Sequence, residues 1–394
     1  MLLTAREAAE RLGVKIETLY AYVSRGLIGS VEVEASRARQ YDSGAVERLR
    51  GARGGRGART EPEALMPVIG SAICLIEDHR IFYRGRDALA LAETATLEET
   101  AAILWEAEMA PTPAAPSGPR GQGRVAGDGG RAGVSLTTII ERCQVRLAEL
   151  GARDLAALDL SRTGVVRSGR VILGALAGLV GAGASTSPGV HRQLATAWGL
   201  DDKGGDLVRR CLVLLADHEL NASTFVARCV ASTGATPYAV VSGALAALSG
   251  RRHGGASARA EALFRELGDE PAPMPALAAR LARGETLPGL GQPLYPNGDP
   301  RAPAILGALA TAFPGEGARA LAMAAAASEL TGAQPNVDFA LGATATAHGL
   351  PPGAALGIFL VARSVGWIAH AMEQYESGVL IRPRARYIGR RGQP

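Results

Sequence analysis

A-D-H-E-L-N-A-S-T-F, residues 216–225, opens a long apolar stretch that breaks at G-R-R-H-G-G, residues 250–255. Residues 229–250, and again 339–362, hold no Asp, Glu, Lys or Arg, yet Gly, Thr and Pro interrupt both runs, with Ser in the first and His in the second. Interrupted runs of this kind predict buried core helices rather than membrane spans, which need about 20 predominantly apolar residues. Two of the six histidines, His218 and His253, stand at helix edges 35 positions apart. Taken singly, each reads as a satisfied structural group; what lies downstream gives the pair its meaning.

Outward from that core, composition bounds the architecture. Aromatics make up 4% of the 394 residues while Ala, Leu and Gly abound, which predicts close-packed helices and an all-α protein. The length suits two or three domains. Cys74, Cys143, Cys211 and Cys229 show no C-x-x-C spacing and lie in apolar contexts, so they read as small buried hydrophobes of a reducing cytoplasm rather than ligands or disulfides. No charged n-region precedes an apolar stretch at the start, and a cytoplasmic protein with no membrane partner and no metal is expected.

The formal charge of +4 is uneven: residues 1–60 hold 11 Lys/Arg against 7 Asp/Glu, and the remainder 31 against 31. That excess fits a polyanion partner and fits an Arg-rich linker equally well. In residues 3–13, Thr4 and Glu7 form a capping box, Ala8 and Leu12 lie four apart, and Gly13 stops the helix. A second helix follows Val14, with Ile16, Leu19, Tyr20 and Val23 as its stripe and Gly26 as its end. Two short helices around a Gly-containing turn form a helix-turn-helix. With S-R-A-R-Q-Y (36–41) and D-S-G-A-V-E-R-L-R (42–50), residues 1–50 resemble the MerR or excisionase type of module. The resemblance implies duplex DNA contact through Lys15, Thr18, Tyr20, Arg37 and Arg39, although Glu17 on the second helix would repel phosphate; a structural or partner-docking role is the alternative. G-A-R-G-G-R-G-A-R (51–59) predicts a linker over 51–60, and the Pro/Gly/Ala-rich 111–133 a flexible loop.

Downstream come G-L-G-Q-P-L-Y-P-N-G-D-P-R (289–301), Q-P-N-V-D-F (334–339), A-R-S-V-G-W-I-A-H-A-M-E-Q (362–374) and I-R-P-R-A-R-Y (381–387). With the 216–225 and 250–255 segments, this ordered series resembles the citrate synthase family from about residue 62 to the end. The resemblance implies a large helical domain (61–255, completed by 346–394 with its C-terminal arm), a small helical domain (256–345) and a homodimer. No tightly bound cofactor is implied; oxaloacetate and an acyl-CoA, acetyl-CoA or propionyl-CoA, enter as substrates.

Carried over by position, Asp338 matches the family's general base, and its place after Pro335 and Asn336 predicts a helix start that sets the carboxylate near backbone N–H groups. His253 matches the donor to the enolate oxygen, kept neutral by the helix expected after the Gly-rich break. Arg301, Arg363 and Arg382 match the arginines that hold the two carboxylates of a 2-oxo dicarboxylate, Arg382 reaching into the partner's site; His218 contacts the same substrate. Planar, permanently charged forks suit that ligand. Gln292 stands where the family places a histidine that polarises the ketone. Its amide donates a hydrogen bond but delivers no proton, which predicts weakened turnover. G-Q-P-L also lacks the basic side chain expected near the CoA phosphates. Three functions stay open on the sequence: a tricarboxylic acid cycle-type condensing transferase, a DNA-binding regulator with a ligand-sensing body, and a non-catalytic paralogue forming mixed dimers.

Overall fold

The computed structural model describes residues 2–14, 16–24, 28, 30–32, 39–43, 46, 69–108, 139–181, 189–267, 270, 272–385 and 387–389. The chain separates into two compact units, Met1–Ile69 and Gly70–Pro394. The expected 51–60 linker and 111–133 loop lie outside the described residues.

In the first unit, β1 (Leu2–Thr4) leads into α1 (Ala5–Leu12), followed by α2 (Ile16–Ser24), β2 (Ser30–Glu32) and β3 (Arg39–Asp42). The expected capping box is present: Thr4 Oγ1 accepts from Glu7 N, and Glu7 accepts from Thr4 N at 2.8 Å. Gly13 ends the helix at φ +63°, the left-handed turn that glycine adopts without strain. The three strands form an antiparallel sheet in the order β1-β3-β2. Leu3, Ala8, Leu12, Leu19 and Tyr41 build a small core of their own.

The second unit opens on an antiparallel meander of β4 (Cys74–Glu77), β5 (Arg80–Tyr83) and β6 (Arg86–Asp87). An all-α reading misses this meander. The signal was there as a period of two: Ile81 and Tyr83 point inward while Arg80 is exposed. Thereafter the α-helices among the described residues are α3 (Ala88–Thr94), α4 (Leu97–Trp105), α5 (Ile139–Gly151), α6 (Arg162–Val180), α7 (Val190–Trp198), α8 (Asp202–Leu215), α9 (Ala222–Ala231), α10 (Pro237–Leu248), α11 (Gly255–Leu267), α12 (Pro273–Ala282), α13 (Arg301–Ala312), α14 (Pro314–Thr331), α15 (Val337–Ala347) and α16 (Ala354–Ser377).

Helix α16 is the axis, buried along almost its whole length, as suits a helix surrounded by others. It packs against α4, α6, α8, α9 and α10, while α11 to α15 pack chiefly among themselves. Among the described residues, two helices are long and apolar enough to cross a membrane by length and composition, but the most apolar window of α16 is 100% buried inside the protein and that of α6 56% buried. The charge-free runs that the sequence marks as core fall on α9–α10 and on α15–α16. Cys143 and Cys211 are buried, Cys74 and Cys229 half-buried, and all four are free thiols.

Candidate active site

The segment between α8 and α9 carries His218, and its course is set by α16. Gly366 N donates to Ala216 O at 3.0 Å, and a Cβ at Gly366 would lie 2.3 Å from Asp217 Oδ1, so glycine is required for this approach. Arg363, three residues earlier on α16, donates from Nε to Leu215 O at 2.8 Å and lies 4.7 Å over the Phe359 ring. Beneath it runs a buried polar chain: His370 Nε2 is 3.3 Å from Asp217, Arg228 Nε donates to His370 Nδ1 at 3.0 Å, and Arg228 pairs with Glu373.

Asn221 caps α9 and accepts from Ser223 Oγ at 2.8 Å. Ser223 Oγ also lies 2.8 Å from His253 Nε2 and accepts from Trp367 Nε1 at 3.2 Å. His253 sits in the turn before α11, its ring edge-on to Phe359. Burial, then the charge of Arg363, pushes its pKa down to about 4, so the imidazole is neutral at neutral pH. That agrees with the neutral state expected from the sequence, with desolvation and a guanidinium as the cause rather than a helix-end field.

Asp338 is the second residue of α15. Asn336 caps this helix, its Oδ1 accepting from Asp338 N at 3.0 Å, as the P-N-V-D spelling predicts. Ser257 on α11 donates to Asp338 Oδ1. Burial raises the Asp338 pKa, and the Ser257 hydrogen bond and Arg301 oppose the rise. The loop bearing Gln292 is strapped to this helix start: Asn336 N donates to Gly289 O, Gly291 N to Gln334 O, and Asn336 Nδ2 to Gly291 O, each at 2.8 Å. Gly289, at φ +81°, leaves room for Phe339, whose backbone would stand 2.8 Å from an added Cβ. Gln292 is half-buried at the start of the turn that ends at Tyr295.

Arg301 opens α13 and is 2% exposed. Asp299 grips it through Nε at 2.9 Å and Nη2 at 2.7 Å, and accepts from Val337 N at 3.1 Å, so one carboxylate ties Arg301 to the start of α15. Nη1 of Arg301 is buried with no hydrogen-bond partner among the described residues. A buried donor without a partner is costly and marks where a ligand oxygen belongs. Next to it, His218 Nε2 is 3.0 Å from the Tyr295 hydroxyl. Burial, Arg301 and Arg363 hold the His218 pKa well below its ordinary value.

The structure thus gathers His218, His253, Asp338, Arg301 and Arg363 into one electrostatically linked group, with the Gln292 loop strapped to its Asp338 side. Arg382 is exposed in the segment after α16, and no hydrogen bond or ion pair joins it to the group. Of the expected DNA-contact residues, Thr18 is half-buried and Tyr20 is 50% exposed on α2; Lys15 and Arg37 lie outside the described residues, and Arg39 is described only as part of β3. Sequence reasoning missed Asp299, Ser223, Ser257 and Tyr295. Asp299 had a signal, since D-P-R places a carboxylate two residues before Arg301; the serines had none.

Residues 182–384 match the model of the citrate synthase C-terminal domain, and residues 3–57 that of the MerR HTH family regulatory proteins. A citrate synthase of Haloferax volcanii is 43% identical over 186 residues, covering 45% of this chain and 48% of the relative. A 2-methylcitrate synthase of Mycobacterium tuberculosis is 39% identical over 183 residues, covering 45% and 47%. The chain thus spans about half the length of the curated relatives it matches. The fold is similar to the crystal structure of a Pyrobaculum aerophilum citrate synthase, with a TM-score of 0.66 at 23% identity over 83% of this chain and 92% of that one. It is also similar to a Thermoplasma acidophilum citrate synthase in ternary complex with carboxymethyl coenzyme A and oxaloacetate, with a TM-score of 0.65 at 21% identity over 83% and 95%.

Proposed function

This chain belongs to the citrate synthase family, and from that premise we propose that it condenses a short acyl-CoA, acetyl-CoA or propionyl-CoA, with oxaloacetate. The observation that carries the reading is the buried pair Arg301 and Arg363, one of them with an unpartnered Nη1, facing a base and a neutral imidazole. Two desolvated guanidiniums, Arg301 held by Asp299 and Arg363 placed over Phe359, offer fixed charge-assisted donors suited to the carboxylates of a dianion.

Asp338 removes a proton from the acyl α-carbon. A carboxylate is a weak base for that proton, so the enolate oxygen needs a donor, and the neutral His253 imidazole supplies a ring N–H. The enolate carbon attacks the ketone of oxaloacetate, whose carboxylates are held by Arg301, Arg363 and His218, and Gln292 donates to the ketone oxygen. Hydrolysis of the thioester then frees CoA. Gln292 donates without delivering a proton, so turnover falls below that of a histidine at this position.

The large domain (61–255 and 346–394) carries His218, His253 and Arg363, and the small domain (256–345) carries Gln292, Arg301 and Asp338; closure of one on the other excludes water. Arg382 completes the site of the partner in a homodimer. CoA release from acetyl-CoA or propionyl-CoA with oxaloacetate tests the reading: oxaloacetate-dependent thiol release supports it, and none with either thioester sinks it. The match of residues 3–57 to MerR-type regulators favours a second reading, a DNA-binding protein whose enzyme-like body senses the same ligands. Loss of salt-sensitive retention on duplex DNA after removal of residues 1–60 tests that one.

A further inference from the structure

The ketone oxygen of oxaloacetate must end as a hydroxyl, and Gln292 leaves that proton unsupplied. Tyr295 ends the turn that begins at Gln292, its N–H donating to Gln292 O at 2.9 Å. Its side chain is 1% exposed, its ring centre lies 5.9 Å from the Arg301 guanidinium carbon, and its hydroxyl is 3.0 Å from His218 Nε2. It is thus a phenol set between the two groups expected to hold the oxo-acid. Resting on the condensation reading, we propose that Tyr295 is a catalytic residue that hands its phenolic proton to the ketone oxygen of oxaloacetate as the carbon–carbon bond forms.

The neighbouring groups are poorer sources. Arg301 and Arg363 do not release protons in proteins. His218 is held neutral, and a neutral imidazole that gave up its proton would become a far more basic anion. A phenol suits the task because an alkoxide is a much stronger base than a phenolate. With its proton on Nε2, His218 donates into the Tyr295 oxygen and leaves the phenolic hydrogen free to face the ketone. Burial also raises the Tyr295 pKa, so the donor stays protonated across the neutral range. The phenolate left behind faces the Arg301 charge. The step balances: Asp338 gains the proton lost by the acyl carbon, Tyr295 loses one to the alkoxide, and exchange with water on product release restores both.

Steady-state kinetics of the full-length chain test the proposal with Tyr295→Phe, Gln292→His and the double variant, thermal melts serving as the folding check. With Gln292 in place, Tyr295→Phe is expected to lower kcat about a hundredfold or more while the oxaloacetate KM changes less than about threefold. In the Gln292→His background the same substitution costs less than about threefold, because the imidazole takes over the proton. A loss under about threefold in the first background, or equal losses in both, overturns the proposal; the latter assigns Tyr295 a merely structural part beside His218. Gln292→His alone needs no change at Tyr295 and is expected to raise kcat less than about tenfold. A gain of a hundredfold or more means that Tyr295 delivers nothing and overturns the proposal even if Tyr295→Phe fails to fold. A wild-type protein that releases no CoA with either thioester instead fails the condensation reading itself.

Discussion

Asp299→Asn is the substitution whose consequences the structure defines most fully. The Asp299 carboxylate is buried and makes two bonds to the Arg301 guanidinium, at 2.9 and 2.7 Å, and accepts from Arg301 N and Val337 N, both at 3.1 Å. Asn keeps one acceptor oxygen. Its NH2 must then face either Arg301 N and Nε or Arg301 Nη2 and Val337 N, donor against donor, and the guanidinium loses the carboxylate paired with it while 2% exposed. Removing one partner of a buried ion pair costs about 3–5 kcal/mol, against about 0–1 kcal/mol for an exposed pair.

Urea unfolding followed by tryptophan fluorescence reads this directly, because Trp105, Trp198 and Trp367 all lie in the Gly70–Pro394 unit, so the transition reports on that unit. Burial would raise the Asp299 pKa, but the charge and hydrogen bonds of Arg301 hold it below the ordinary carboxylate value. A depressed folded pKa means that the stabilisation is fully present above the unfolded value, about 3.9, and is lost as pH falls through the folded one. The gap between wild type and variant is therefore constant from about pH 8 to about pH 5 and closes in stronger acid. Because Val337 adjoins Asp338, kcat is expected to fall as well. A stability loss below about 1 kcal/mol at pH 7 would refute the account of Asp299 as the clasp between Arg301 and α15.

Ser257→Ala removes the hydrogen bond that lowers the Asp338 pKa, so the acid limb of the kcat/KM profile is expected to move to higher pH; an unmoved limb contradicts a role for Ser257 at the base. Gly289→Ala, with its Cβ 2.8 Å from the Phe339 backbone at φ +81°, is expected to cost about 1–3 kcal/mol in the same urea experiment, and a neutral result would show that the strap between the Gln292 loop and α15 yields freely. His253 is expected to titrate near pH 4 by NMR, staying neutral throughout the working range, and His253→Ala to lose about a hundred- to a thousandfold in kcat. Arg382→Ala is expected to weaken oxaloacetate binding, and co-assembly with an Asp338→Asn chain should restore one working site per mixed dimer; no recovery argues against a shared site.

What the sequence determined by itself is local or ordinal. Thr4 with Glu7 and the P-N-V-D start of α15 mark helix ends from groups within three residues of one another, because an N-cap side chain reaches only the first turn. The left-handed stop at Gly13 follows from glycine's lack of a Cβ. The order of motifs identified the family, and with it His218, His253, Asp338, Arg301 and Arg363, which the fold indeed brings together. The β4–β6 meander escaped an all-α reading because strands of four residues or fewer leave little periodicity amid Ala- and Leu-rich helices. Only the tertiary structure decided which groups tune that site. The Tyr295 hydroxyl meets His218 across 77 residues, Ser257 meets Asp338 across 81, and Ser223 meets His253 across 30. Serine and tyrosine hydroxyls are common and carry no mark of their partner in one dimension. Their chemistry depends on burial and on which charge stands nearby, and both are fixed when α16, α11 and α15 pack.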